Sequence, residues 1–240
     1  LVITGFPGTG KTLLLIEHAR KLSKQGKKVL VITYNVLLSK YLQDELSGLV
    51  PEVEVLNFHE QCRKACQIMG HEISSSDDWY SGKAHVSLME AVNTNELPSY
   101  DALLIDEGQA LSTYSLDTFK NWFAQKRIII FCDSTQSFNF EDSTDSQEIA
   151  NIIDAEVYTL TINLRSPRSV FERTSQIYSG NYQPSCPRPL ESDTFNEIIS
   201  EDPKNVLKEL FEELIHKNAI QKESIVLLYT NKKELGFLNE

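Results

Sequence analysis

Asp106 and Glu107 end the apolar run ALLID, residues 102–106, and Gly108 and Gln109 follow them. Adjacent acids at the end of a buried strand can divide two tasks. One carboxylate can hold a hard cation, and the other can orient and deprotonate a water. The amide of Gln109 two residues on would sense both. The alternative is a solvated acidic turn without chemistry.

A second group of residues decides between these. Residues 5–12 read GFPGTGKT, which satisfies G-x-x-x-x-G-K-[ST]. The loop follows an apolar stretch and precedes a helical pattern, the context such a phosphate loop requires. Glycines let backbone N–H groups turn inward around an anion, and the helix N-terminus adds its positive end. Gly5, Pro7, Gly8, Thr9, Gly10, Lys11, Thr12 and Leu13 are therefore the expected nucleotide-binding residues. Lys11 places its charge on the β- and γ-phosphates. Thr12 offers a hydroxyl to Mg²⁺, with Asp106 as the second metal ligand, and Glu107 becomes the general base. The expected chemistry is hydrolysis of ATP as substrate, with Mg²⁺ as cofactor.

The elements that would position these groups alternate. Apolar runs at 1–5, 29–33, 52–58, 102–106, 127–133 and 157–163 read as strands. Helical patterns lie near 12–24, 36–46, 59–70, 115–124, 146–153 and 166–178. Strands alternating with helices predict a parallel sheet covered on both faces. Residues 71–99 break the pattern, with SSSDD, Trp79 and Tyr80, and read as a small insertion carrying a short helix near 84–92. The turn formers of 180–192 place a boundary between 160 and 195. A helix near 203–217 and a strand at 224–230 then open a second α/β unit. The expected domains are 1–160, with the insertion, and an incomplete 161–240.

Composition bounds the reading. The chain has 240 residues, 41% hydrophobic and 24% charged, which fits a globular protein. No apolar run reaches the roughly 20 residues that span a bilayer, so no membrane partner is expected. The four cysteines are scattered, and Cys62 and Cys66, four apart, read as reduced thiols on a helix rather than a metal site with His59. A cytoplasmic location is expected from this usage. The net charge of −11 does not advertise a nucleic-acid binder, yet local contacts and base stacking can grip a strand on an acidic chain. The chain opens without Met, directly on a strand, as a piece of a longer protein would.

Further stretches in order complete the picture: TYNVLLSKYL (33–42), LNFHEQC (56–62), IDEGQA (105–110), FCDSTQSFN (131–139) and LTINLRSPRSV (160–170). Together with the phosphate loop, their order and spacing resemble the superfamily 1 helicases of the UvrD/Rep type over nearly the whole chain. The resemblance implies an α/β fold: a P-loop RecA-like parallel sheet plus the start of a second RecA-like domain, with ATP between the two. Asp106, Glu107 and Gln109 match the family's D-E-A-Q-D motif. Asp133 and Gln136 match its G-D-x-x-Q motif, in which the glutamine meets the γ-phosphate and couples it to DNA. Arg165 matches the arginine of N-Y-R, which reaches the γ-phosphate from across the cleft. Glu107, Lys11, Gln136 and Arg165 are thus the expected catalytic set. Tyr34, Asn35, Phe58 and His59 are the implied contacts to single-stranded DNA, with RNA left open as an alternative.

Three residues depart from the pattern. Ala110 replaces an aspartate, Gly108 replaces an alanine, expected to be a small change, and Cys132 replaces a glycine beside Asp133. Later helicase motifs do not occur before residue 240, so the remaining helicase domains are expected as partners outside the chain. The isolated chain is then expected to hydrolyse ATP slowly and not to unwind duplex. A competing reading is a P-loop ATPase switch in signalling or defence, whose nucleotide controls assembly rather than movement.

Overall fold

A computed structural model describes residues 1–73, 84–133, 144–177, 184–189 and 196–227. Two compact units divide the chain, Leu1–Thr194 and Phe195–Glu240.

The first unit is built on six strands: β1 (Val2–Gly5), β2 (Val29–Thr33), β3 (Val53–Asn57), β4 (Ala102–Asp106), β5 (Arg127–Asp133) and β6 (Val157–Leu160). Their order is β3-β2-β4-β5-β1-β6, and every pairing is parallel. The central strands β2 and β4 are buried at every residue, as a sheet with two covered faces requires. The predicted α/β architecture is therefore the one observed.

Side-chain alternation splits the strands between two cores. Val29, Val31, Ala102, Leu104, Ile129 and Phe131 face α1 (Lys11–Lys24) and α2 (Val36–Glu45), where Leu15, Ile16, Ala19, Leu22 and Leu42 are buried. Leu30, Ile32, Leu103, Ile105, Ile130 and Cys132 face the other side. There they meet α3 (Phe58–Met69), α4 (Ala84–Asn93), α5 (Thr113–Trp122) and α6 (Ser146–Ile152).

The same parity positions the acids. Asp106 continues the phase of Ala102 and Leu104, and Asp133 continues that of Ile129 and Phe131. Both carboxylates therefore leave the sheet on the α1 face, where the phosphate loop delivers Lys11 and Thr12.

The span read as an insertion is not peripheral in its described part. Ala84, Leu88 and Ala91 of α4, with Leu97 after it, are buried in the core against α3 and α5. The polar run 74–83 conceals this contribution in the sequence, and it lies outside the described residues, with Trp79 and Tyr80. Helix α7 (Arg168–Ile177) follows β6, and the first unit continues to Thr194. The described residues of 161–189 are grouped with the first unit.

In the second unit α8 spans Pro203–Glu212, capped by Asp202, which accepts from Asn205 N–H at 3.2 Å. Proline at its first turn suits a position whose N–H has no helical partner. A π-helical turn, Glu213–Lys217, continues it, so the expected helix over 203–217 is present in two forms. Residues 225–227 are not in a strand, and the rest of the expected strand at 224–230 lies outside the described residues.

Candidate active site

The phosphate loop runs from β1 into α1. Gly8 and Gly10 take φ of +84° and +92°, a region closed to most side-chain-bearing residues. Thr9 closes a turn on Phe6, its N–H and its hydroxyl both donating to the Phe6 carbonyl, at 3.2 and 2.8 Å. Gly5 is tight for a different reason. A Cβ there would stand 2.7 Å from Thr9 Oγ1 and 2.9 Å from the Leu160 carbonyl on β6.

Lys11 Nζ is buried and donates to the Gly5 carbonyl at 2.8 Å, the Phe6 carbonyl at 3.3 Å and Asp133 Oδ2 at 3.1 Å. The Asp133 ion pair follows from register, since β1 and β5 are neighbours with Gly5 opposite Asp133. Thr12 Oγ1 donates to Asp106 Oδ2 at 2.9 Å, across the single strand β5 that separates β1 from β4. The two expected metal ligands are thus joined. Both offer hard oxygen donors, the kind Mg²⁺ takes, with water completing its octahedron. Burial, and then the neighbouring charge of Glu107, push the Asp106 carboxyl up to about 6. A buried acid held this way gains from a cation that replaces its proton.

Glu107 sits at φ 56°, a left-handed conformation that turns the chain at the strand end. Its N–H donates to Asp106 Oδ1 at 3.0 Å. Gln109 is buried and bridges the site. Its Nε2 donates to Glu107 Oε2 at 2.5 Å, and its Oε1 accepts from Asp133 N–H at 3.0 Å. The amide thereby ties the expected base to the end of β5. Gly108 is no casual replacement. A Cβ on it would lie 2.2 Å from Ile130 Cγ2, so the residue expected to be a small change is held to glycine by its neighbour on β5.

Cys132, also a departure, faces away from this site. It is buried in the opposite core, its Sγ 3.9 Å from the Ile3 carbonyl, and burial pushes its thiol up to about 12. Cys62 and Cys66 are buried on α3 as free thiols.

A cavity of about 390 Å³ gathers the loop residues Pro7, Gly8, Gly10, Lys11, Thr12 and Leu13 with Glu107, Asp133, Leu164 and Arg165. Arg165 was expected from across a domain cleft. It lines the cavity from within the loop's own unit, because the segment after β6 folds back onto the loop. Gln136 lies outside the described residues.

The expected strand contacts separate. Tyr34, at the end of β2, is 41% exposed and stacks on Phe58 at 6.4 Å between ring centroids. Phe58 is only 7% exposed and packs edge-on against Phe119, so its ring has no face for a base; it backs Tyr34 instead. His59 lies edge-on to Tyr34 at 5.4 Å. Asn35 caps α2, its Oδ1 accepting from Leu37 and Leu38 N–H at 2.8 and 3.2 Å.

Sequence reasoning missed Asn163. It stands in the same NLR stretch that supplied Arg165, and its buried amide holds the phosphate loop from behind.

A glycine phosphate loop on a parallel sheet, with an acid pair two strands away, defines a P-loop α/β protein of the RecA-like type. Residues 1–225 match the family described as Schlafen group 3, DNA/RNA helicase domain, and the chain belongs to that family. The match carries the helicase-like resemblance at family level and does not single out the UvrD/Rep type. No curated protein matches the chain.

Proposed function

We propose that this chain binds and hydrolyses ATP with Mg²⁺ and couples that cycle to movement along a nucleic-acid single strand. The observation that carries the reading is the convergence of Lys11, Thr12, Glu107 and Arg165 around one cavity, with Asp106 bonded to Thr12 beside it. A bound Mg²⁺ would supply charge neutralisation at the phosphates, with Thr12 and Asp106 as its protein ligands. Lys11 would trade its bonds to loop carbonyls for phosphate oxygens while Asp133 keeps it oriented. Glu107, held by Gln109, would position and deprotonate the attacking water. Arg165 would meet charge that develops on the γ-phosphate. Tyr34 offers the exposed ring on which a base stacks.

Steady-state ATP hydrolysis with Mg²⁺ tests this, with and without single-stranded DNA or RNA, at low and moderate salt. Stimulation by the strand is expected. Glu107→Gln should lower turnover about 10²–10⁴-fold, the range for losing a general base. Lys11→Ala should weaken nucleotide binding as well. Hydrolysis that ignores both nucleic acids at every salt would replace the motor reading with the assembly switch.

A further inference from the structure

We infer that Asn163 is a positioning residue for the phosphate loop, holding the Pro7–Gly8 turn in its nucleotide-binding conformation from the side opposite the ligand. This rests on the nucleotide-site reading above.

Asn163 is 0% exposed. Its Nδ2 donates to the Pro7 carbonyl at 2.6 Å and to Ser166 Oγ at 3.3 Å. Its Oδ1 accepts from Ser166 N–H at 2.9 Å. The backbone beside it grips the next carbonyl, Gly8 O accepting from Leu164 N–H at 2.9 Å and Arg165 N–H at 3.3 Å. Asn163 is itself anchored, its N–H donating to the Ser185 carbonyl at 2.7 Å. The contact is close enough that a Cβ on Gly8 would meet the amide at 2.8 Å.

The consequence for the ligand follows from the peptide plane. The Pro7–Gly8 peptide is planar and trans, so its C=O and N–H point in opposite directions. Fixing the Pro7 carbonyl on Asn163 fixes the direction of the Gly8 N–H on the other side. Pro7 and Gly8 both line the cavity. A loop whose donors are aimed before the anion arrives does not spend binding energy ordering itself.

Asn163→Asp removes the amide donor and puts a buried carboxyl in its place. The shape is kept and Oδ1 still accepts from Ser166, but the Pro7 carbonyl loses its partner and faces a carboxylate. Asn163→Ser, shorter and neutral, is the second variant. Affinity for Mg²⁺–ADP and Mg²⁺–ATP, KM and kcat would be measured on the 240-residue chain, with a thermal melt of each variant. The expected result is a folded variant with a cooperative but lowered melt that binds both nucleotides about tenfold more weakly. KM should rise more than kcat falls, because loop donors bind ground state and transition state alike. Three results would overturn the inference. A folded variant could bind within about twofold of wild type. The loss could be confined to ATP, which would place the effect at Arg165. Both variants could fail to fold, which would make Asn163 a general structural residue. A wild-type chain that binds neither nucleotide would overturn the nucleotide-site reading first, and this inference with it.

Discussion

Asp106 shows how strongly one position can be governed by its surroundings. Burial and Glu107 raise its carboxyl from 3.8 to about 6, so the metal-free fold holds a proton there that the unfolded chain releases. The sign is clear. Between these two values the stability contributed by this group falls as pH rises, and above about 6 the fold carries a buried, repelled charge. Asp106→Asn should therefore stabilise the metal-free protein at neutral pH, read as a higher midpoint in denaturant, while abolishing Mg²⁺-dependent nucleotide binding. In the wild type, Mg²⁺-dependent affinity should weaken as pH drops below about 6, where the proton competes with the cation. Gly108 makes the steric counterpart. Gly108→Ala drives a methyl into Ile130 Cγ2 and should cost about 1–3 kcal/mol by equilibrium denaturation. In an Ile130→Leu background, which has no Cγ2, the same alanine should cost clearly less. An equal cost in both backgrounds would mean that backbone shape, not Ile130, demands the glycine.

At the scale of elements, strand parity and helix capping divide residues that look alike in the sequence. Tyr34 and Phe58 are both aromatics at strand ends, two strands side by side. Asn57 caps α3 in a reciprocal box with Glu60, bonds of 2.9 Å each way, and so aims Phe58 at the first position of the helix and into the core. Tyr34 precedes the cap of α2 and stays on the surface. The two should respond differently to truncation. Tyr34→Ala should leave the melting transition nearly unchanged and weaken single-strand binding by about 1–3 kcal/mol per stacked base. Phe58→Ala should destabilise the fold by about 3–5 kcal/mol. Comparable loss of stability in both would mean that Tyr34 is a core residue in solution and would remove it from the strand contacts.

For the molecule as a whole, pH acts through groups that do not line the nucleotide cavity. His18, His59 and His85 are each pushed below their ordinary 6.5, chiefly by burial; nearby positive charge adds to this at His18 and His59. The unfolded chain therefore binds protons at these positions more readily than the fold. As pH falls below about 6.5 each histidine subtracts stability, and the loss levels off below the folded values. This trend opposes that of Asp106 in the acid range. Only about one pH unit above 6.5 have both finished titrating, so the metal-free stability should level off on the alkaline side of neutrality and decline from neutrality toward pH 5.5. Denaturant midpoints across that range check it, and His85→Gln should shorten the decline. His85 Nε2 lies 3.0 Å from Thr118 Oγ1, a polar link between α4 and α5 beside their apolar packing.

The sequence by itself determined the chemistry available and the class of fold. A phosphate loop and an acid pair are local patterns, and apolar runs alternating with helical periods permit little besides a covered parallel sheet. Arg165 and Asn163 mark where this ended. They are two residues apart, yet the arginine was assigned to a far domain and the amide to nothing. Their place was decided by β6 pairing beside β1, which sets the chain that follows against the phosphate loop, with Asn163 on the Pro7 carbonyl and Arg165 at the cavity. The span 71–99 tells the same story, since the burial of α4 depends on α3 and α5. Gly108 is held by Ile130, a neighbour on another strand and 22 positions away. Each of these is a contact between segments distant in the chain. Propensity and spacing describe a residue's neighbours in sequence, and strand order and register alone choose its neighbours in space.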